Sequence, residues 1–478
     1  GPAQSAGFAR SQPPLTRGPE RRSFLKTELQ QAFGRAFGRA DVTGPRMQAA
    51  IREWFDLYFG RPFPGEDGAD RLPVLIVGKL CRAVFAEYES RLAPGGAKAD
   101  WMAGNLRALD AVRARAMQAA LVGGECLLKP VPAGGGFEFL PLRRDHFVPL
   151  GRDLQGRLLA VGTMERISRG GRAYALLERR TAGADGLTIE TRLFELAGAA
   201  LGREVPLDAL PETAALRPTL LLPGVPGVGL AALRTPLANC VDGSAVAVAV
   251  FAPAVGLIHR LGRTEHGLRR EFENGASRVF ASEDLLRGEA PGARDLRDDL
   301  FVGLPDDPAN LGMTVYSPPL RDQSYLARKQ DILRGCENLI GLRRGTLSEA
   351  DAAERTATEI TATGADAALT VADFQEMWRR AVCEALALCD ALGRAYGLCG
   401  AEAFDAAAAL TLDWGDGLLY DRAAAWQEYR QMVLDGMLRP ELALAWYFGL
   451  PHETEAELAA VRARCMPQND AAKGGEPA

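Results

Sequence analysis

ERTATEITATGADAALTVADFQEMWRRAVCEALALCDALGRAYGLCG, running from Glu354 to Gly400, decides the architecture of the chain. Thr356 and Glu359 stand at the T-x-x-E spacing. There a threonine hydroxyl accepts from the third helical N–H while the glutamate reaches back to the cap's own N–H, so a helix is expected to start near Thr356. Val371, Phe374, Trp378, Val382, Leu386, Cys389 and Leu392 then recur at steps of three or four, which stacks them on one face. Arg379, Arg380, Glu384 and Arg394 mostly fall off that stripe. Unbroken to about Gly397, the helix would run roughly 60 Å at about 1.5 Å per residue, enough to cross a domain. Gly364 weakens its early turns. Periodicity alone is equally compatible with a long core helix in any α-rich protein.

Working outward, the segment before this helix holds a small β module between two helices. The chain reads as helical from Pro236 to roughly Gly267, as strands at 278–282, 300–304 and 313–317, and as a helix again from Gln323 to Ile340. The most apolar run, SAVAVAVFAPAVGLI from Ser244 to Ile258, is shorter than the roughly 18 residues a bilayer span requires, and Pro253 interrupts it. It is expected to be a packed helix.

Further upstream, residues 1–22 are rich in Pro, Gly, Ser, Gln and Arg and read as a loose arm. Helical patterns cover Met47–Phe59, Leu72–Tyr88 and Asn105–Leu121. Short runs at 126–131, 137–142, 158–165, 172–180 and 188–195, divided by glycine-rich turns, read as an antiparallel meander. The Pro/Gly-rich stretch Leu220–Gly229 is expected to be a domain boundary. Downstream come one strand-like run, Ala409–Trp414, two short helices, Arg422–Leu434 and Pro440–Phe448, and a final helix, Thr454–Cys465, before a polar tail. No internal repeat is visible.

A chain of 478 residues has room for two to four domains. With 47% hydrophobic and 24% charged residues its composition is that of an ordinary globular chain. The net charge of −5 and pI near 5.7 exclude a broad phosphate-neutralising surface, so any nucleic acid would be touched locally. Eight cysteines without C-x-x-C pairs read as small buried hydrophobes in a reducing compartment. Gly1-Pro2 resembles the scar left when a protease removes an affinity tag, and no secretory signal is visible.

The chemistry-bearing motifs are missing. LIVGKL lacks the upstream glycine and the hydroxyl residue of a phosphate-binding loop, and there is no H-E-x-x-H, G-x-S-x-G or EF-hand pattern. His452-Glu453 lacks the second histidine that zinc would need. Cys126 with His146 could in principle pair as nucleophile and base, against the alternative of a buried strand cysteine. Cys383, Cys389 and Cys399 lack the short spacing of zinc sites. No catalytic residue, metal or cofactor is expected, and the chain does not read as an enzyme. Two basic features remain: His259, Arg260, Arg263, Arg269 and Arg270, and the loop RRGTLSEADAAER, in which Arg343, Arg344 and Arg355 flank Glu349, Asp351 and Glu354. Such charge runs ordinarily form a solvated face; a loop of mixed sign would grip DNA poorly but could sit beside a moving polyanion.

The whole order of elements resembles the portal proteins of tailed bacteriophages, of the type found in long non-contractile-tailed phages of Gram-positive hosts. The resemblance is carried by EWFDLYFG in an early helix, ALVGGECLLKPV entering a strand, RTATEI opening the long helix, the turn DWGDGLLYD, and the helical pair broken by LDGMLRPELALAWYFGL. The D-G-x-x-x-x-E pattern from Asp435 to Glu441 lies in its proper place, and the match covers about residues 25–460.

The resemblance implies an α+β portal fold with wing, stem, clip and crown. Its subunits would form a homo-oligomeric ring, commonly of about twelve, built on head-to-tail interfaces. By analogy residues 1–24 form a flexible arm, 25–236 the wing, 237–266 and 321–341 the stem helices, and 267–320 the clip. Residues 342–355 then form a tunnel loop, 356–400 a long wing helix or spoke, 401–420 a strand returning to the wing, 421–465 the crown, and 466–478 a disordered tail. The implied channel residues are Arg343, Arg344, Thr346, Ser348 and Arg355, with the basic cluster at His259 in the stem and Arg278, Phe280, Phe301 and Tyr316 at the clip interface. The implied partners are double-stranded DNA passing through the channel, a terminase that hydrolyses ATP, a head-tail adaptor, and the major capsid and scaffolding proteins, with no membrane. The implied location is the capsid portal vertex of the virion, with assembly in the host cytoplasm. Two other readings stay open: an α+β enzyme with a scattered site, and a soluble helical scaffold or adaptor.

Overall fold

The computed structural model describes residues 26–61, 63–66, 71–198, 200–282, 301–304, 314–349, 357–415, 422–452 and 454–466. Helices and strands occupy separate stretches of chain, so the fold class is α+β, and the chain divides into two compact units, Gly1–Leu412 and Asp413–Ala478.

The first unit opens with helices α1 (Lys26–Phe37), α2 (Pro45–Phe59) and α3 (Leu72–Val84), a short strand β1 (Glu89–Leu92), and α4 (Gly96–Gly123). The expected meander follows as β2 (Glu125–Ala133), β3 (Gly136–Arg143), β4 (Phe147–Arg152), β5 (Leu158–Arg169), β6 (Arg172–Gly183), β7 (Gly186–Ala197), β8 (Ala200–Val205), β9 (Thr219–Pro223) and β10 (Ala231–Arg234). These build two sheets, β10-β2-β3 and β4-β5-β6-β7-β8, and β9 shares the β7 edge with β8. Helix α1 packs Leu29 and Phe33 onto Val148, Leu177 and Phe194 of the larger sheet. Gly162 in β5 is the notch for that contact, since a Cβ there would stand 2.4 Å from the Phe33 ring.

The Leu220–Gly229 stretch is not a boundary. Its first residues belong to β9, which pairs with β7 in the register Leu222↔Leu187, and the chain then turns straight into β10 beside β2. Its glycines are turn residues between two strands: Gly224, Gly227 and Gly229 have φ of 72°, 60° and 68°. The compact units divide after Leu412 instead.

The helix expected from Pro236 is likewise absent over its first half. Helix α5 spans Val255–Asn274, and residues 235–251 form a non-helical strap whose Val246, Ala247, Val248, Ala249, Val250 and Phe251 are all buried. The strap hydrogen-bonds to distant backbone: Val250 N–H donates to the Leu121 carbonyl at 2.8 Å, and Thr235 N–H donates to the Gly124 carbonyl at 3.0 Å. A Cβ on Gly124 would stand 2.4 Å from the Ala247 carbonyl oxygen, so the strap lies directly on the glycine between α4 and β2. Residues buried on every side lose the one-sided period by which a helix is recognised.

After α5 come β11 (Arg278–Ser282), β12 (Phe301–Leu304) and β13 (Thr314–Tyr316), with β11 in the centre, parallel to β12 and antiparallel to β13. Helix α6 (Asp322–Ile340) then leads to the long helix α7 (Ala357–Tyr396), 40 residues or about 60 Å. Thr356, its expected cap, lies outside the described residues. All seven stripe residues of α7 are buried, and five of them, Phe374, Trp378, Val382, Leu386 and Cys389, are fully enclosed. They pack on α3, α4, β2, β9 and β10. Trp378 Nε1 donates to the Tyr88 hydroxyl at 3.1 Å, and that hydroxyl donates to Asp110 Oδ1 at 2.9 Å, so the buried indole is satisfied. Off the stripe, Arg379 and Arg380 both hold Glu376, while Glu384 Oε2 accepts from the outward N–H of Ala232 at 3.0 Å and closes the free edge of β10. A one-turn helix, α8 (Ala406–Ala409), precedes β14 (Leu410–Asp413), which pairs with β1.

The second unit, by itself, is α9 (Arg422–Leu434), α10 (Pro440–Phe448) and α11 (Glu455–Cys465). The D-G-x-x-x-x-E pattern has a local meaning here. Gly436 at φ 70° takes the chain out of α9, and Glu441 in the first turn of α10 accepts from Arg462 of α11 at 2.5 Å. Thr454 and Glu457 form a complete capping box on α11.

Candidate functional site

The contacts between α5 and α6 run in opposite directions along the two helices. Leu257 meets Gly335, Glu265 pairs with Lys329 at 2.7 Å, Gly267 meets Tyr325, and Glu271 pairs with Arg321 at 2.6 Å. The two helices therefore form an antiparallel hairpin with the three short strands at its turn. Glycines set the spacing: a Cβ on Gly267 would lie 2.9 Å from the Tyr325 ring and one on Gly335 3.0 Å from Leu257.

The sequence-adjacent basic cluster separates in space. His259 and Arg263, one helical turn apart, face the N-terminal layer. The His259 ring lies between two carboxylates, Nε2 at 2.8 Å from Glu53 and Nδ1 at 2.8 Å from Glu66, and Arg263 Nε is 3.3 Å from Glu66. Burial pulls the imidazole pKa down, but the hydrogen bonds to Glu66 and Glu53 outweigh it and hold the pKa above its ordinary value. Phe63 packs edge-on against the ring at 4.9 Å. Arg269 is 3.6 Å from Glu273 and 3.2 Å from the His266 ring, whereas Arg270 is exposed.

Arg260 points the other way, into a cleft of about 480 Å³ between the helices, shared with Arg328, Asp331, Arg334 and Asn338 of α6 and with Arg344 of the following loop. Four guanidinium groups from three elements thus face one concavity beside one carboxylate.

The loop is held from below by Glu337. This carboxylate is fully buried on α6 and accepts from Leu347 N at 2.5 Å, Ser348 N at 2.9 Å and Ser348 Oγ at 2.8 Å. Gly341, at φ 75°, ends α6 against Thr370 of the long helix. The expected channel residues consequently differ in kind. Arg343 and Arg344 are exposed, and Thr346 is half-buried in a turn closed by its N–H to the Arg343 carbonyl at 3.0 Å. Ser348 is buried with its hydroxyl committed to Glu337, so it offers no surface contact here. Arg355, Asp351 and Glu354 lie outside the described residues.

In the small sheet Phe280 and Tyr316 form an edge-on ring pair at 6.2 Å, with Arg278 exposed opposite Tyr316. Phe301 lies in β12, and its side chain is outside the described residues.

Cys126 does not read as a nucleophile activated by His146. The Cys126 thiol is fully buried, meets the Leu127 carbonyl at 3.8 Å, and is pushed far up by burial, while the His146 ring sits 3.0 Å from Arg143. Cys389 is likewise pushed up by burial. Among the described residues no group of three His, Cys, Asp or Glu side chains is placed to hold a metal ion, and no described helix is long and apolar enough to cross a membrane.

The sequence reading missed Arg328, Asp331, Arg334 and Asn338. Their signal was available: Arg328, Asp331, Gly335 and Asn338 recur at steps of three and four opposite the apolar stripe of α6. It also missed a buried ionic knot in the first unit. There Glu125 meets Arg152 at 2.5 Å, Arg234 at 3.8 Å and Arg144 at 3.9 Å.

No family profile and no curated protein matches the sequence. Among solved structures the chain is similar to one described as the neck of a native GTA particle computed with C12 symmetry, at 14% identity over 88% of this chain and 98% of that chain, with a TM-score of 0.38. A second, described as the neck of an empty GTA particle computed with C6 symmetry, gives the same identity, coverage and TM-score. A likeness at this level carries no argument about what this chain does.

Proposed function

We propose that the chain is a portal-type subunit, one of about twelve that close head-to-tail into a ring around a DNA channel at a capsid vertex. In this reading it is a passive shaped conduit, with ATP hydrolysed by a docked terminase and a head-tail adaptor later taking the terminase's place. The observation that carries the proposal is the chain order of a helical hairpin with a three-stranded unit at its turn, a following segment pinned at Leu347 and Ser348 by Glu337, and the 40-residue helix α7. In this reading these elements serve as a stem, a loop at its base and a spoke that ties both to the α+β body.

Negative-stain imaging of the purified chain over a range of concentrations, with immunogold labelling of particles from the same source, tests this. Rings with a central pore and label at one pole of the particle are expected. Compact monomers throughout, together with unlabelled particles, would refute the reading.

A further inference from the structure

Basic side chains along the α5/α6 hairpin fall into two groups. Four of those on its flanks have carboxylates: Arg263 has Glu66, Arg269 has Glu273, Arg321 has Glu271 and Lys329 has Glu265, whereas the exposed Arg270 has none among the described residues. Arg260 and Arg328, which face the cleft, have no ion pair among the described residues. They face it together with Arg334 and Arg344, which have interactions of their own, against Asp331 as the one lining carboxylate.

Like charges gathered in one concavity repel only weakly where water reaches them, but an anion that enters is attracted by each guanidinium in turn. The groups are also held in place. Arg344 sits on a loop fixed by Glu337, and the helix separation is fixed at Gly335 against Leu257. Guanidinium forks converging from several directions suit the tetrahedral array of oxygens on phosphate. The cleft, about 480 Å³, is the size of a small-ligand site.

We infer that this cleft is a binding site for phosphate oxyanions, with Arg260 and Arg328 as its principal ligands and Arg344 closing it from the loop. The shared chemistry is phosphate, supplied either by a small polyphosphate that enters the cleft or by the backbone of nucleic acid lying across it. The inference does not depend on the ring proposed above: rings that bind no phosphate at this cleft would sink it and leave that reading intact, and a phosphate-binding monomer would do the reverse.

The test uses the full chain, with tripolyphosphate followed by calorimetry and a fluorescein-labelled duplex followed by anisotropy. Arg260→Gln/Arg328→Gln is compared with Arg39→Gln/Arg217→Gln, which removes the same charge from exposed arginines outside the cleft. All four side chains are exposed, and far-ultraviolet dichroism verifies that both variants fold. Each lost charge-assisted contact weakens binding about tenfold, so the cleft variant is expected to lose roughly a hundredfold and the control less than about threefold. The double exchange Arg260→Lys/Arg328→Lys keeps the charge but loses the fork and is expected to fall between them.

If tripolyphosphate is lost and the duplex is not, the source is a small phosphate. If both fall and the duplex displaces tripolyphosphate, the source is the nucleic-acid backbone. The inference is overturned if neither probe binds, or if the two double variants lose binding equally.

Discussion

Replacing Glu125 by glutamine tests whether the ionic knot holds the first unit together. Glu125 is 1% exposed and is the carboxylate facing three arginines: Arg152 with oxygens at 2.5 and 3.2 Å, Arg234 at 3.8 Å and Arg144 at 3.9 Å. Burial pushes its pKa up, yet the charges and hydrogen bonds of Arg152, Arg144 and Arg234 outweigh that and hold the carboxyl below its ordinary range. Arg144, fully enclosed, is itself lowered to about 10 by burial, with Glu125 opposing the shift. The knot joins β2, β4 and β10, and Arg234 also donates to the Ala245 carbonyl of the buried strap at 2.5 Å. One charge pair at about 4 Å is worth roughly 4 kcal/mol at an effective dielectric of about 20, most of it offset by desolvation. Removing the carboxylate while the arginines stay buried forfeits the attraction and keeps the desolvation cost, so glutamine should destabilise by about 3–5 kcal/mol.

Trp54 and Trp378 are both fully buried in this unit and report its unfolding by fluorescence in urea. The midpoint should fall at unchanged slope. Adding Arg152→Met should restore part of the loss, because it removes a cation that glutamine leaves uncompensated. A loss below about 1 kcal/mol for Glu125→Gln, or a double variant as poor as the sum of the single ones, would show that the arginines reach water or other acceptors and that the reasoning is wrong.

The His259 pKa lies above its unfolded value, so its stabilisation is complete below about pH 6.5 and is lost as pH rises through the folded pKa. The difference in melting temperature between the chain and His259→Gln should therefore be largest near about pH 6 and shrink by about pH 9, whereas a constant difference would exclude the two-carboxylate arrangement. Glu178, bound by Lys129 at 2.7 Å and Arg180 at 3.4 Å, has its pKa lowered from 4.5 to about 2 although burial opposes the shift. It contributes about 3 kcal/mol above pH 4.5 that disappears as pH falls toward 2, so Glu178→Gln should lose less than the parent chain between about pH 5 and pH 2.5 in acid-titrated urea melts. Gly124→Ala would set a Cβ 2.4 Å from the Ala247 carbonyl at a φ of +79° and should cost more than about 2 kcal/mol. Gly134→Ala, at φ +57° but in open space, should cost only about 1 kcal/mol in the same melt, and equal losses would remove the strap from the explanation.

How far the sequence discloses this fold depends on whether the deciding contacts are local. Helix α7 was legible because its buried stripe repeats over seven residues on one face, and the short helices of the second unit were legible because Pro440, Gly436 and Gly449 mark their ends. The strap at 244–251 was not. Alternating alanine and valine suit a strand, a helix or neither, and the choice was made by Gly124, Leu121 and Thr235, more than a hundred residues upstream for the first two. Strand β9 was hidden for a related reason, since prolines and glycines that elsewhere divide domains here turn the chain between two sheets.

For the candidate site the same distinction cuts more sharply, because a charge has no meaning until its partner is known. The run His259, Arg260, Arg263, Arg269 and Arg270 is one cluster in sequence. In the fold, His259 and Arg263 answer Glu53 and Glu66, roughly 200 residues earlier, and Arg269 answers Glu273. Of the five, Arg260 joins other guanidinium groups in a concavity. Helical periodicity applied to polar residues would have separated Arg260 from its neighbours and found the Arg328–Asp331–Asn338 stripe, but it could not have supplied Glu53 or Glu66. The density of basic residues along the chain therefore overstates the positive surface, and an anion site is marked instead by arginines that the fold gathers from separate elements into one concavity.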